Sequence, residues 1–300
     1  MKHFLEISQL SYEEVTRLLH RAVYFKTHQD HPQYRPHTLT NLFYEPSTRT
    51  RISFEMAAKN LGIRVIDVDV TRSSELKGEM LDDTIHNLFA MGVTLFVIRH
   101  PQVGLPQAMA GAFQSGIHVI NAGDGTHEHP SQAMLDLMTI LSHKPNLKQL
   151  KIAIVGDILH SRVANSLQSL CALMGVGELV LVAPEIWHPR ALIYGRVTTS
   201  LQQGLQNADV VIALRVQKER LLAEETLDLP SYHAAYAITK ASLAPVNSDV
   251  MIMHPGPINR GIEIDSDVAY GPRSYILEQV KNGIFMRMAI LESLLNEAND

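Results

Sequence analysis

The run FYEPSTRTRISFEMAAKNLG, residues 43–62, sets two guanidinium groups, Arg49 and Arg51, beside the hydroxyls of Ser47, Thr48 and Thr50. Two cations two positions apart repel, so their place at the start of a helix asks for a reason. Pro46 followed by Ser47 and Thr48 is a helix start. Backbone N–H groups without helical partners attract anions there, and the hydroxyls add donors. Arg49 can then face a bound anion while Arg51 turns to a different side. The same run also reads as an ordinary capped helix with exposed basic residues. It is not a nucleotide P-loop, because the glycine-rich run and the closing Gly-Lys-Ser/Thr are missing.

Other reactive residue types fall at the ends of apolar runs. TLFVIR ends in Arg99, followed by His100 and Pro101. HVINAGDG leads into THEHPSQ, with His129 and Gln132. KIAIVGD leads into ILHSR, with Arg162. DVVIAL is followed by Arg215, Val216 and Gln217, and DVMIMH by Pro255, Gly256 and Pro257. One arginine at a strand end is ordinarily a solvated charge. Four at strand ends in an acidic chain imply anions held among them, since guanidinium donates paired hydrogen bonds to phosphate and carboxylate. THEHP lacks further apparent ligands for a metal, so no metal site is expected.

The elements that must position these residues alternate. SYEEVTRLLHRAVYFK has apolar residues at helical spacing, and HTLTNLFYE reads as a strand. The helix after Pro46 carries Phe54, Ala57, Ala58 and Leu61 on one face and closes at Gly62. IRVIDVDV, VTLFVIRHP and IHVINAGDG read as strands, with helices at MLDDTIHNLFAMG, LPQAMAGAFQSG and SQAMLDLMTILSH. After the turn KPNLKQL a second series begins with KIAIVGD and the helix SRVANSLQSLCALMG. ELVLVAP, ADVVIAL and DVMIMHP are three more apolar strands. The stretch SYILEQVKNGIFMRMAILESLLNE is one helix, or two around Gly283. Continuous apolar strands suit parallel sheets covered on both faces. The fold class expected is α/β with two domains, each a mostly parallel sheet flanked by helices, changing over near residues 130–150.

Composition bounds the partners. The chain has 300 residues, 46% of them apolar and 19% charged, enough for a sizeable core. A net charge of -5 argues against a general nucleic-acid binder. Cys171 is the single cysteine, so neither an internal disulfide nor a cysteine zinc cluster can form. The first residues carry acids and no long apolar stretch, unlike a signal peptide, and no run approaches the ~18 apolar residues of a membrane span. A soluble cytoplasmic protein is expected.

FYEPSTRTR, IRHPQ, HPSQ, RVQKER and HPGPINRGIEI, in this order and spacing, resemble the catalytic chains of the aspartate carbamoyltransferases. The resemblance covers nearly the whole chain. The Ser-Thr-Arg-Thr-Arg and His-Pro-x-Gln motifs belong to transcarbamoylases at large, and RVQKER and HPGPxNRG to the aspartate branch. It implies transfer of a carbamoyl group from carbamoyl phosphate to the amino group of L-aspartate, in pyrimidine synthesis, without a cofactor. It implies a carbamoyl-phosphate-binding domain over residues 1–130, with a C-terminal helix of about 280–300 packing back on it, and an aspartate-binding domain over 131–279. Ser47, Thr48, Arg49, Thr50 and Arg99 would hold the phosphate. Arg49, Thr50, Arg99 and His129 would surround the carbonyl oxygen. Gln132 and the backbone of Pro255 and Gly256 would hold the carbamoyl amide, with a cis peptide at Gly256–Pro257. Arg162, Arg215 and Gln217 would grip the aspartate carboxylates. Lys77 and Ser73, in TRSSELKGE, match a loop that the family inserts into a neighbouring subunit's site, which implies a homotrimer. Where many members read Gly-Arg-Thr-x-His-Ser, this chain reads LHSRVANS, so Arg162 is the counterpart by its distance from Asp157 and His160 is extra.

Two anionic substrates carry roughly four negative charges once the amine is deprotonated. Lys77, Arg49, Arg99, Arg162 and Arg215 supply five positive ones. This balance predicts ordered filling or mutual assistance, with closure over the pair. An ornithine-type transcarbamoylase is the nearest alternative, but its cationic acceptor would be repelled, and its Ser-Met-Gly and His-Cys-Leu-Pro motifs are missing. An inactive scaffold chain would be expected to have lost anion ligands. A dinucleotide-binding unit would need Gly-x-Gly-x-x-Gly after KIAIVGD, where only Gly156 is present.

Overall fold

The computed structural model describes residues 1–70, 78–113, 116–217 and 228–296. The chain divides into two units, one of Met1–Leu135 and Val280–Asp300, the other of Asp136–Gln279.

The first unit holds α1 (Tyr12–Thr27), β1 (Thr38–Phe43), α2 (Thr48–Asn60), β2 (Arg64–Asp67), α3 (Leu81–Ala90), β3 (Leu95–His100), α4 (Leu105–Ala112) and β4 (His118–Asp124). It also holds the start of α5 (Pro130–His143) and most of α10 (Ile276–Asn296). Its four-stranded parallel sheet has the order β2-β1-β3-β4. Strand β4 is buried along its length, as an apolar run covered on both faces should be. Beyond it, Phe4 forms a parallel bridge to Ile120. Leu42, Phe96, Ile98 and Val119 from the sheet pack with Ile85 and Phe113 in a core of the kind the alternating pattern calls for. Helix α1 begins in a reciprocal cap between Ser11 and Glu14 and buries Val15, Leu18, Leu19 and Ala22. Helix α10 packs on this unit. Glu292 of α10 pairs with Arg21 of α1 and accepts a hydrogen bond from the Tyr34 hydroxyl at 3.0 Å.

The second unit holds the rest of α5, β5 (Lys151–Val155), α6 (Arg162–Met174), β6 (Glu178–Val182), β7 (Arg196–Thr198), α7 (Leu201–Leu205), β8 (Val210–Ala213), α8 (Leu229–Tyr236), β9 (Met251–Met253) and α9 (Ser266–Ala269). Its five-stranded parallel sheet has the order β7-β6-β5-β8-β9. Ala153, Val155, Val180, Val182, Val211, Ala213 and Ile252 form the sheet's share of the core.

Some elements differ from the expectation. Strand β2 stops at Asp67 although the β-rich pattern runs on to Val70; three of its four residues are exposed, so little burial sustains it. Strand β7 and helices α7, α8 and α9 are short and gave no periodic signal. The last helix is single: Gly283 does not interrupt it, and a Cβ there would meet Arg287 Nη1 at 2.5 Å. The division between units falls inside α5 and inside α10, at Leu135/Asp136 and Gln279/Val280.

Candidate active site

In the first unit, parallel pairing brings three strand ends to one edge of the sheet. Phe43 is level with Arg99, and His100 with Asp124. The Tyr44 N–H donates to the Arg99 carbonyl at 2.9 Å. The segments that follow β1, β3 and β4 therefore leave from the same side, where open parallel sheets bind ligands. After β1 the chain turns through Glu45 and Pro46 into α2. Ser47 is the N-cap residue, yet its side chain makes no capping hydrogen bond. Thr48 and Arg49 are exposed and Thr50 is buried. Arg51 pairs with Asp67 of β2, so the two arginines diverge.

Arg99 donates from Nη1 to the Ala122 carbonyl at 3.3 Å, and its Nε lies 3.4 Å from Glu45 Oε2. Both contacts fix the guanidinium at the carboxyl end of β3. Glu45 also offsets one of the cations that the charge balance counted. After β4, Asp124 builds the loop that delivers His129. Its carboxylate accepts from Glu128 N–H at 3.0 Å, Asn121 Nδ2 at 3.1 Å and Gly104 N–H at 2.9 Å. His129 is buried immediately before α5, and its carbonyl accepts from the Gln132 N–H at 3.0 Å. Gln132 is buried on the first turn. Arg99 at the end of β3, and Ser47, Thr48, Arg49, Thr50, His129 and Gln132 after strand ends, thus lie along one edge.

The second unit repeats the arrangement. Ile154 pairs with Ile212, which pairs with Met253, so β5, β8 and β9 end together. After β5, Gly156 has φ 131°, and a Cβ there would lie 2.7 Å from the Leu214 carbonyl oxygen. Glycine lets the two strand ends close up. Asp157 follows, with no exposed surface. Its Oδ1 accepts from His160 N–H at 3.2 Å and lies 2.8 Å from His160 Nδ1, while Oδ2 accepts from Gln217 N–H at 3.3 Å. Gln217 Nε2 donates to the His160 carbonyl at 2.8 Å. Burial pushes the Asp157 carboxyl above its ordinary range, against the pull of His160 and the backbone donors. His160, extra by its place in the sequence, ties the β5 end to the β8 end. Arg162 is the first residue of α6 and is buried; Ser161 caps that helix by accepting from Ala164 N–H. Arg215 follows β8 and is half-buried.

Beyond β9 the chain turns through Pro255, Gly256 and Pro257, with the Gly256–Pro257 peptide cis. The φ of Gly256 is +70°, in the left-handed region that favours glycine. Arg162, Arg215, Gln217 and the Pro255–Pro257 turn therefore share one edge of this sheet. Lys77 and Ser73, together with Lys218–Arg220 of RVQKER, lie outside the described residues. Among the described residues, no group of three or more His, Cys, Asp or Glu is placed to hold a metal ion, and no helix is long and apolar enough to cross a membrane. Sequence reasoning missed Glu45 and Asp124 as supports of these strand ends. Each acts through a contact across the fold or on the backbone, and its only signal in the sequence is nearness to a strand end.

The edge of the first unit presents hydroxyls and guanidinium groups, and that of the second guanidinium groups and backbone donors, each suited to an anion. Comparison with known proteins agrees with that chemistry. Residues 2–142 match the family profile described as "Aspartate/ornithine carbamoyltransferase, carbamoyl-P binding domain", and residues 148–294 match the "Asp/Orn binding domain" profile. The aspartate carbamoyltransferase catalytic subunit of Legionella pneumophila (strain Lens) is 58% identical over 295 residues, 98% of this chain and 99% of the relative. The corresponding subunit of Coxiella burnetii (strain Dugway 5J108-111) is 45% identical over 300 residues, 98% of this chain and 96% of the relative. The crystal structure of Trypanosoma cruzi aspartate transcarbamoylase with carbamoyl aspartate and phosphate superposes with a TM-score of 0.87 at 30% identity, covering 98% of this chain and 95% of that one.

Proposed function

The chain belongs to the aspartate/ornithine carbamoyltransferase family, and we propose that it moves the carbamoyl group of carbamoyl phosphate to the amino group of L-aspartate. The products are N-carbamoyl-L-aspartate and phosphate. What supports this choice of acceptor is that Arg162 follows β5, and Arg215 and Gln217 follow β8, two neighbouring strands of the second unit that end level with each other. Two guanidinium groups suit a dicarboxylate and repel the cationic end of ornithine.

In this reading the first unit holds carbamoyl phosphate. The α2 N-terminus, with Ser47, Thr48, Arg49 and Thr50, takes the phosphate, and Arg99 reaches it from β3. Arg49, Thr50, Arg99 and His129 donate to the carbonyl oxygen, and that oxygen gains charge as the amine attacks. Gln132 and the carbonyls of Pro255 and Gly256 hold the carbamoyl NH2. Arg162, Arg215 and Gln217 orient the aspartate so that its amine meets the carbonyl carbon; positioning of two reactants is the main service such a site renders. The tetrahedral intermediate expels phosphate, whose oxygen takes the amine proton. Lys77 and Ser73 would come from a neighbouring copy in a homotrimer, and the product would feed pyrimidine synthesis in the cytoplasm.

A steady-state assay with carbamoyl phosphate and either L-aspartate or L-ornithine tests the proposal. Equimolar carbamoylaspartate and phosphate are expected, with no citrulline above background. Citrulline formation at a comparable rate would reassign the acceptor, and phosphate release without carbamoylaspartate would reject the transfer.

A further inference from the structure

In the functional reading, His254, which follows β9, holds no substrate itself. It is nonetheless the centre of a buried hydrogen-bonded chain. Its Nδ1 accepts from the Gly256 N–H at 2.7 Å. A backbone N–H can only donate, so Nδ1 carries the lone pair, and in the neutral ring the proton sits on Nε2. Nε2 lies 3.2 Å from Glu263 Oε1, with both side chains buried. The same oxygen accepts from the Asn259 N–H at 2.5 Å, and Asn259 Nδ2 donates to the Val216 carbonyl at 3.1 Å. Val216 stands between Arg215 and Gln217. On the other side, the His254 N–H donates to Gln279 Oε1 at 3.0 Å, and Gln279 Nε2 to Asp136 Oδ1 at 2.7 Å. The chain of contacts thus runs from α5 through α10 to the turn, and on to the end of β8.

The bond to Gly256 has a directional consequence. The Pro255–Gly256 peptide is trans, the cis bond lying one step later. In a trans peptide the C=O and N–H point in opposite directions. Anchoring the Gly256 N–H on the imidazole therefore turns the Pro255 carbonyl away from it. We propose that His254 is a positioning residue that aims the Pro255 carbonyl at the carbamoyl NH2 and so selects carbamoyl phosphate over acyl phosphates that carry a methyl group instead. This rests on the functional reading above, in which that carbonyl holds the amide. Acetyl phosphate is the matching probe, with CH3 where carbamoyl phosphate has NH2. A site that pairs a substrate N–H rejects an analogue that leaves its acceptor unpaired.

Two conservative variants separate the ring's two bonds. In His254→Asn the amide oxygen occupies the place of Nδ1 and can accept from Gly256, as in an Asx-turn, but the side chain no longer reaches Glu263. In His254→Gln the amide reaches toward Glu263 and the Nδ1 acceptor is lost. The readout is the ratio of kcat/KM for carbamoyl phosphate to that for acetyl phosphate, with aspartate saturating and Tm recorded. His254→Gln should lower the ratio by about tenfold or more, while His254→Asn stays within about threefold of wild type. A wild-type ratio in His254→Gln, or an equal loss in both variants, overturns the proposal. If His254→Gln does not fold, a ratio more than about tenfold low in folded His254→Asn overturns it and a preserved ratio upholds it. Failure of the wild type to make carbamoylaspartate is a different result, and rejects the functional reading itself.

Discussion

Asp157→Asn separates stability from function in a way that follows from the geometry. Asp157 is fully buried and accepts from His160 at two atoms and from the Gln217 N–H. Asparagine keeps one acceptor oxygen and sets an NH2 where the other stood. If the oxygen stays with His160, the Gln217 N–H faces a donor. Leaving a buried donor unmatched costs about 1–3 kcal/mol. Gln217 is one of the groups that would hold aspartate, so the loss should appear as roughly a 5- to 150-fold fall in kcat/KM for aspartate. Stability should behave otherwise. Burial raises the Asp157 pKa despite its partners. A carboxyl with a higher pKa in the folded than in the unfolded chain takes up protons on folding. Its contribution is best in acid and declines as pH rises from the unfolded towards the folded value. The neutral amide removes that pH-dependent cost, which offsets part of the unmatched donor, so Tm at pH 7 should change less than kcat/KM does. Aspartate saturation curves and thermal melts at pH 7 check both halves. A Tm that falls while kcat/KM holds would refute the reasoning.

Arg49→Ala should lower kcat by at least about 10²–10³, while Arg51→Ala, which removes only the exposed pair with Asp67, should leave it within about threefold; equal losses would show that the two arginines are not divided in role. Mixing Lys77→Ala with Arg49→Ala chains and reassembling them should restore sites that carry neither change, and no recovery of activity would remove the shared-site reading. Burial holds His3 at about 4, and its Nδ1 accepts from the Val119 N–H at 3.1 Å. A histidine whose folded pKa is depressed binds its proton more readily when unfolded, so stability should fall on acidification from about pH 6.5 towards 4. His3→Asn, which can keep the acceptor, should flatten that slope in pH-dependent melts; an unchanged slope assigns it to other groups.

The sheet strands were legible because their apolar runs are continuous. The shorter elements were not: β7 has three residues at a sheet edge, the first of them exposed, and offers no period to read. Gly283 left the last helix ambiguous on propensity, where glycine costs about 1 kcal/mol. The buried Arg287 settles it, since its Nη1 lies where a Cβ would intrude and donates to the Gly283 carbonyl at 3.1 Å. At the candidate site, strand-end arginines are visible in sequence because a strand end is a local signal. The supports are not. His160 gains meaning only from Asp157 and Gln217, 60 residues apart, and His254 only from Glu263 and the turn. A histidine in sequence gives no sign of which carboxylate it will meet.

Under the proposed function, cationic strand ends of both units hold one pair of anionic reactants. N-(phosphonacetyl)-L-aspartate carries both anionic ends in a single molecule. Calorimetric titration of the wild type, Arg49→Ala and Arg215→Ala with this ligand should give tight binding that each variant weakens by roughly 30-fold or more. An affinity that stays within about threefold of wild type in either variant would contradict the account.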